Sequence, residues 1–150
     1  MRKLKLCLAC SAGGHLTELM RLEEAFQGYP CFIATFRRED TEKLNERVYY
    51  LIDPKRNPLK LLVNFLQSLR VVLRERPMVV ITTGAGIVVP LCIIAKLLGA
   101  KIIYIESFAR ITSKSLSGVL LYPIADLFFV QWRQLLEKYG SKARYGGKVV

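Results

Sequence analysis

The sequence predicts an α/β fold, a Rossmann-like parallel sheet with helices on both faces. Strand-like apolar runs alternate with helical stretches along the whole chain, which is the pattern of βαβ units. The glycine-rich and polar motifs fall where strand runs end, as they do in sheets of this kind. The 150 residues fit one domain, 1–150, with room for a real core and no repeat, low-complexity tract or second domain.

Six strand runs are predicted: KLKLCLAC (3–10), CFIATF (31–36), VYYLID (48–53), MVVITT (78–83), KIIYIES (101–107) and LFFVQW (127–132). Between them HLTELMRLEEAF (15–26), LKLLVNFLQSLRVVLRER (59–76), IVVPLCIIAKLL (87–98) and SLSGVLLYPIA (115–125) read as helices, and RQLLEKYG (133–140) as a last one before the tail SKARYGGKVV. The connection around TEKLNE (41–46) is left without an element. On a 3.6-residue wheel the 59–76 helix sets Leu62, Phe65, Leu66, Leu69, Val72 and Leu73 on an expected core face. Lys60, Asn64, Gln67, Ser68, Arg70, Arg74 and Glu75 fall on an expected solvent face. Pro54 and Pro58 punctuate its entry and Pro77 stops it.

Residues 77–95 form 19 consecutive uncharged residues, long enough to imitate a membrane span. Their centre, TTGAG, and Pro90 instead point to a buried strand, a glycine turn and a buried helix. No secretory signal precedes the first strand. Cys7 and Cys10 form a C-x-x-C, but on a strand a spacing of three puts their side chains on opposite faces. With no second pair they make neither a zinc site nor a disulfide framework, and the cysteine usage fits a reducing cytoplasm. The net charge of +11 suits an anionic partner, such as a lipid headgroup surface, a phosphorylated substrate or nucleic acid, or serves solubility alone.

Three loops gather at the predicted carboxyl edge of the sheet: SAGGH after strand one, TTGAG after strand four and ESFAR after strand five. In such sheets ligands bind at that edge. Glycines in SAGGH let backbone approach a ligand, and His15, the chain's one histidine, can serve as a base, donate to a phosphate, or stand in a first helical turn without a partner. Gly84-Ala85-Gly86 begins a near-match to G-x-G-x-x-G, with Glu106 20 residues after Gly86 as a candidate ribose acid. Val89 replaces the third glycine and the unit comes fourth rather than first, so a nucleotide-dependent oxidoreductase is a distant alternative. Glu106 can take a sugar hydroxyl or orient a base and Arg110 can meet a phosphate, unless the two form an ion pair that closes the turn.

SAGGHLTE, TTGAG, YIESFAR, LSGVLLYPIADLFFVQW and the closing YGG, in this order, resemble the asparagine-linked glycosylation protein fourteen family across essentially the whole chain. The resemblance implies the N-terminal, acceptor-side half of a GT-B glycosyltransferase, with the donor half that binds the UDP-sugar on a separate chain. Eukaryotic members anchor a two-chain UDP-GlcNAc transferase that acts on a dolichol-linked sugar. Bacterial relatives are first subunits of paired transferases for capsule and exopolysaccharide. The implied acceptor is a lipid-linked diphosphate sugar at the cytoplasmic membrane surface. No nucleic acid, metal or cofactor is implied. Ser11, Gly13, Gly14, Gly84, Gly86 and Arg110 become acceptor- or phosphate-binding candidates, and His15 and Glu106 catalytic ones. A transmembrane helix found at the start of eukaryotic members is not present ahead of strand one, so peripheral attachment through basic and apolar patches, or through the partner, is expected. That departure points towards a bacterial relative. A non-catalytic scaffold that activates the donor subunit at the membrane is the nearer alternative.

Overall fold

The structure, a computed structural model, describes residues 4–149. Seven strands, β1 (Leu6–Cys10), β2 (Cys31–Thr35), β3 (Arg47–Tyr50), β4 (Val79–Gly84), β5 (Lys101–Ile105), β6 (Leu127–Val130) and β7 (Ala143–Tyr145), form one sheet in the order β3-β2-β1-β4-β5-β6-β7. Every neighbouring pair is parallel. The interior strand β1 is buried along its whole length, which is why LCLAC reads as a continuous apolar run rather than an alternating one.

Strand alternation sorts the core into two layers. Cys7, Ala9, Phe32, Ala34, Val80, Ile102, Tyr104 and Phe128 face one way, against α4 (Pro58–Glu75), α5 (Val89–Leu97), α6 (Leu116–Leu121) and α7 (Gln134–Tyr139). Leu6, Leu8, Cys10 and Ile33 face the other way, against α1 (Gly14–Met20) and α2 (Glu23–Phe26). Helices therefore cover both faces, as expected, although Ile103, Ile105 and Phe129 on the second face line a recess of about 350 Å³. Cys7 and Cys10 lie in different layers, as their spacing requires. Burial pushes the Cys10 and Cys92 thiols up to about 12, so both act as packing groups.

The imitation membrane span 77–95 resolves into β4, a 3₁₀ turn at Gly86–Val88 and the start of α5. Among the described residues no helix is long and apolar enough to cross a membrane. The expected 15–26 helix breaks into α1 and α2 at Arg21-Leu22, and 115–125 shortens to α6. Two elements were not legible: the short α3 (Glu39–Glu42) and the edge strand β7, whose three residues carry no alternation to read.

The wheel of α4 needs correction. Asn64, Ser68 and Glu75, expected on the solvent face, are buried. Leu62, Leu66 and Leu73, expected in the core, are each about half exposed. Buried hydrogen bonds fix this rotation. Asn64 Nδ2 donates to the carbonyls of Ile52 (2.8 Å) and Ile87 (2.9 Å), Ser68 Oγ donates to Asn64 Oδ1 (3.1 Å), and Gln67 Oε1 accepts from Ile52 N–H (2.7 Å). Each of those carbonyls would cost about 1–3 kcal/mol if buried unpaired, and the same rotation buries Val71 and Val72.

Candidate functional site

Ligands of doubly wound sheets sit outside the carboxyl ends of the two strands where the order reverses. Here the reversal lies between β1 and β4, and β5 is the next strand along. The loops after these three strands are the three singled out from the sequence. A register shift at Ala9/Cys10 sets Cys10 opposite Gly84 and brings the first two loops together.

Loop one enters α1 through Gly13, whose φ of 81° is a conformation glycine adopts without strain. Its N–H donates to Asp40 Oδ2 at 2.8 Å, and Arg38 Nε stands 3.5 Å from Asp40 Oδ1. One amide expected to be available to a phosphate is thus engaged by a carboxylate of α3, an element with no signal in the sequence that would place it there. Ser11 is half-buried, and Gly14 has open space where a side chain would stand.

His15 is half-buried and joined to loop two by a reciprocal pair. Its Nδ1 lies 2.9 Å from the Thr83 carbonyl, and Thr83 Oγ1 donates to the His15 carbonyl at 2.8 Å. A carbonyl can only accept, so Nδ1 carries the proton and the neutral ring keeps its lone pair on Nε2. Gly84 (φ 100°) closes β4: a Cβ there would come within 2.6 Å of the Tyr104 hydroxyl and 2.9 Å of Ser117 Oγ. Ala85 follows at φ 90°, rare for a side-chain-bearing residue, with its N–H donating to Ser117 Oγ (3.2 Å). Gly86 is open, at the edge of a groove of about 640 Å³ between the starts of α4, α5 and α6.

Loop three is tied to α1 by Glu18, one helical turn beyond His15. Glu18 Oε1 accepts from Phe108 N–H (2.9 Å) and Ser107 Oγ (3.3 Å), and Oε2 from Gln131 Nε2 (3.4 Å). Gln131 also donates to the Glu106 carbonyl (2.9 Å), and Trp132 Nε1 to the Phe108 carbonyl (2.7 Å).

Glu106 itself is fully buried. Oε1 accepts from Ser107 N–H (3.0 Å) and Oε2 from Ser115 N–H (3.2 Å); Ser115 Oγ reaches both at 2.9 Å. The Tyr104 (3.4 Å) and Tyr139 hydroxyls complete the shell. Burial first, then the neighbouring carboxylate, pushes both tyrosines well above the ordinary phenol range, which keeps them as donors. Arg110 does not join this shell. It is exposed, with Nη1 donating to Ser113 Oγ (3.3 Å), so the alternative of a Glu106–Arg110 ion pair is excluded. Loop one is thus joined to loop two at the switch point through His15 and Thr83, with Cys10 opposite Gly84, while Gly86 opens on the groove beside α4, α5 and α6, Glu106 is buried and Arg110 is exposed. Thr83, Glu18, Ser115, Ser117, Gln131 and Tyr139 were missed. Thr83 lies inside TTGAG, Glu18 inside SAGGHLTE and Ser117 and Gln131 inside LSGVLLYPIADLFFVQW, whereas Ser115 carried only the signal of an N-cap serine and Tyr139 none.

A protein-family profile described as "Oligosaccharide biosynthesis protein Alg14 like" matches residues 54–149. The chain belongs to this family. The UDP-N-acetylglucosamine transferase subunit ALG14 of Yarrowia lipolytica is 30% identical over 97% of this chain and 81% of its own length. The human protein of that name is 28% identical over 98% and 83%. The one from Candida albicans is 47% identical over a shorter match, 55% of this chain and 41% of the relative. Among solved structures, Acinetobacter baumannii MurG superposes with a TM-score of 0.75 at 15% identity, over 95% of this chain and 45% of that one. A Methanocaldococcus jannaschii UDP-GlcNAc 2-epimerase does so with 0.74 at 16%, over 94% and 46%. This chain thus has the fold of one Rossmann-like half of such chains and spans under half the length of each.

Proposed function

We propose that this chain is the acceptor-side subunit of a two-chain glycosyltransferase. It transfers a sugar from a UDP-sugar, held by a partner chain, to a lipid-linked diphosphate sugar at the cytoplasmic face of a membrane. Membership of the Alg14-like family supports the reaction class, and the names of the Yarrowia and human relatives favour UDP-N-acetylglucosamine as donor. The word subunit in those names supports a partner chain.

The observation that carries the catalytic reading is the His15–Thr83 pair. Transfer with inversion requires a base to remove the acceptor hydroxyl proton as that oxygen attacks the anomeric carbon and UDP leaves. His15, with its proton committed to the Thr83 carbonyl through Nδ1, offers Nε2 as that base. Gly14 and Gly86 give the acceptor diphosphate a close approach to backbone, and Ser11 and Arg110 flank it. Glu106 acts as a positioning residue: its carboxylate holds the start of α6 through Ser115 and α7 through Tyr139, and so fixes the floor under loops two and three.

The test is transfer by the reconstituted pair with His15→Ala. Loss of kcat by about 100-fold or more, with acceptor KM little changed, is expected. Turnover close to wild type would overturn the base assignment and leave the scaffold reading in its place.

A further inference from the structure

One turn of α1 carries two side chains that reach different loops. His15 goes to loop two through Thr83, and Glu18, three residues on and its neighbour on the helix surface, goes to loop three. Glu18 is half-buried, and among the described residues it makes no salt bridge. Its carboxylate is spent on neutral donors instead: Phe108 N–H and the Ser107 hydroxyl on Oε1, and Gln131 Nε2 on Oε2. Bonds to an ionised acceptor are stronger than neutral ones, so two successive residues of loop three are pinned to α1.

The donors are themselves held from behind. Gln131 is 1% exposed, and its Oε1 accepts from Val149 N–H (2.7 Å), a group that can only donate. That fixes the amide orientation and leaves the Nε2 hydrogens for the Glu106 carbonyl and Glu18. Ser107 is divided between two carboxylates, its N–H going to Glu106 and its hydroxyl to Glu18. Trp132 Nε1 donates to the Phe108 carbonyl, and the Trp132 and Phe108 ring centroids lie 5.2 Å apart. We infer that Glu18 is the positioning residue that sets loop three against His15, with Gln131 orienting its carboxylate. The inference rests on the acceptor-side reading, in which His15 is the base and Arg110 of loop three flanks the acceptor diphosphate. Three residues of helix rise about 4.5 Å, so a single rigid turn fixes the spacing between the base and the loop that holds the phosphate contact. Glu18 acts through that loop and touches no substrate.

Two measurements test this. Trp132 is the chain's one tryptophan, so its fluorescence follows loop three in the purified chain, with no partner, donor or acceptor. In Glu18→Gln, an amide turned either way sets its NH₂ against Phe108 N–H or Gln131 Nε2, neither of which can reverse. Trp132 emission should shift to the red and acrylamide quenching rise, while far-UV circular dichroism stays native. Glu18→Ala, which opposes no donor, should do the same and takes its place if the glutamine variant fails to fold. In the pair reconstituted with its partner, Glu18→Gln should raise acceptor KM about ten-fold and leave kcat within about two-fold. Arg110→Ala should raise KM about ten-fold in wild type but less than about two-fold in Glu18→Gln, because a displaced loop has no Arg110 contact left to lose. Unmoved Trp132 emission in both Glu18 variants, a full Arg110→Ala effect in the Glu18→Gln background, or a fall in kcat at unchanged KM would overturn the inference. The fluorescence needs no turnover, so its failure belongs to the inference alone, whereas a wild-type pair that transfers nothing is a failure of the acceptor-side reading.

Discussion

His15 and Thr83 exchange two hydrogen bonds across the point where the strand order reverses, Nδ1 to carbonyl at 2.9 Å and Oγ1 to carbonyl at 2.8 Å. One bond sets the tautomer and the other fixes the backbone that carries the ring. Thr83→Val keeps the first and removes the second. The variant should lose about 1 kcal/mol of stability and about ten-fold in kcat, with acceptor KM unchanged. A rise in KM alone, at wild-type kcat, would show that Thr83 positions the acceptor and not the base.

The glycines divide into two kinds. A Cβ on Gly84 would collide with the Tyr104 and Ser117 hydroxyls and require φ of 100°, so Gly84→Ala should cost about 3 kcal/mol in urea unfolding. Gly14 and Gly86 face open space. Their alanine variants should fold as wild type yet raise acceptor KM, because the added methyl stands where the diphosphate approaches. Normal KM in both would remove these loops from the acceptor site.

Glu106 should tolerate no amide. Ser107 N–H points at one oxygen and Ser115 N–H at the other, so a glutamine in either orientation sets its NH₂ against a donor that cannot reverse. Glu106→Gln should lower stability by about 3 kcal/mol, read from the urea midpoint. A variant as stable as wild type but inactive would instead make Glu106 a group that handles the acceptor.

Glu75 supplies an acid-sensitive contact at the opposite edge. Burial alone would raise its carboxyl, but hydrogen bonds from Tyr49, Arg47 (2.8 Å) and Lys5 (3.0 Å), with the Lys5 charge, hold it at about 2. A folded value below the unfolded one stabilises the protein above the ordinary carboxylate range, and that share is lost as pH falls towards about 2. The stability gap between wild type and Glu75→Gln should therefore be constant near neutrality and close between about 4.5 and 2. A gap independent of pH would show that the cluster contributes nothing through its charge.

The sequence by itself determined the parallel α/β fold, because alternating strand runs and helices leave few other ways to bury their apolar faces. It also placed the three loops, since glycine and polar residues at strand ends are local features. It resolved 77–95 as strand, turn and helix from TTGAG and Pro90. Tertiary structure decided what those loops do to one another. No spacing could reveal that Thr83 would hold the His15 ring, that Asp40 would occupy the Gly13 amide, or that Glu106 would lie sealed under serines and tyrosines while Arg110 stayed outside. It decided the rotation of α4 as well. The wheel weighed only the greasiness of its residues, whereas the fold had to satisfy the carbonyls of Ile52 and Ile87, and Asn64 was the group that could reach them. A hydrophobic stripe can be moved to a membrane or a partner, but a buried carbonyl must find its donor inside the fold.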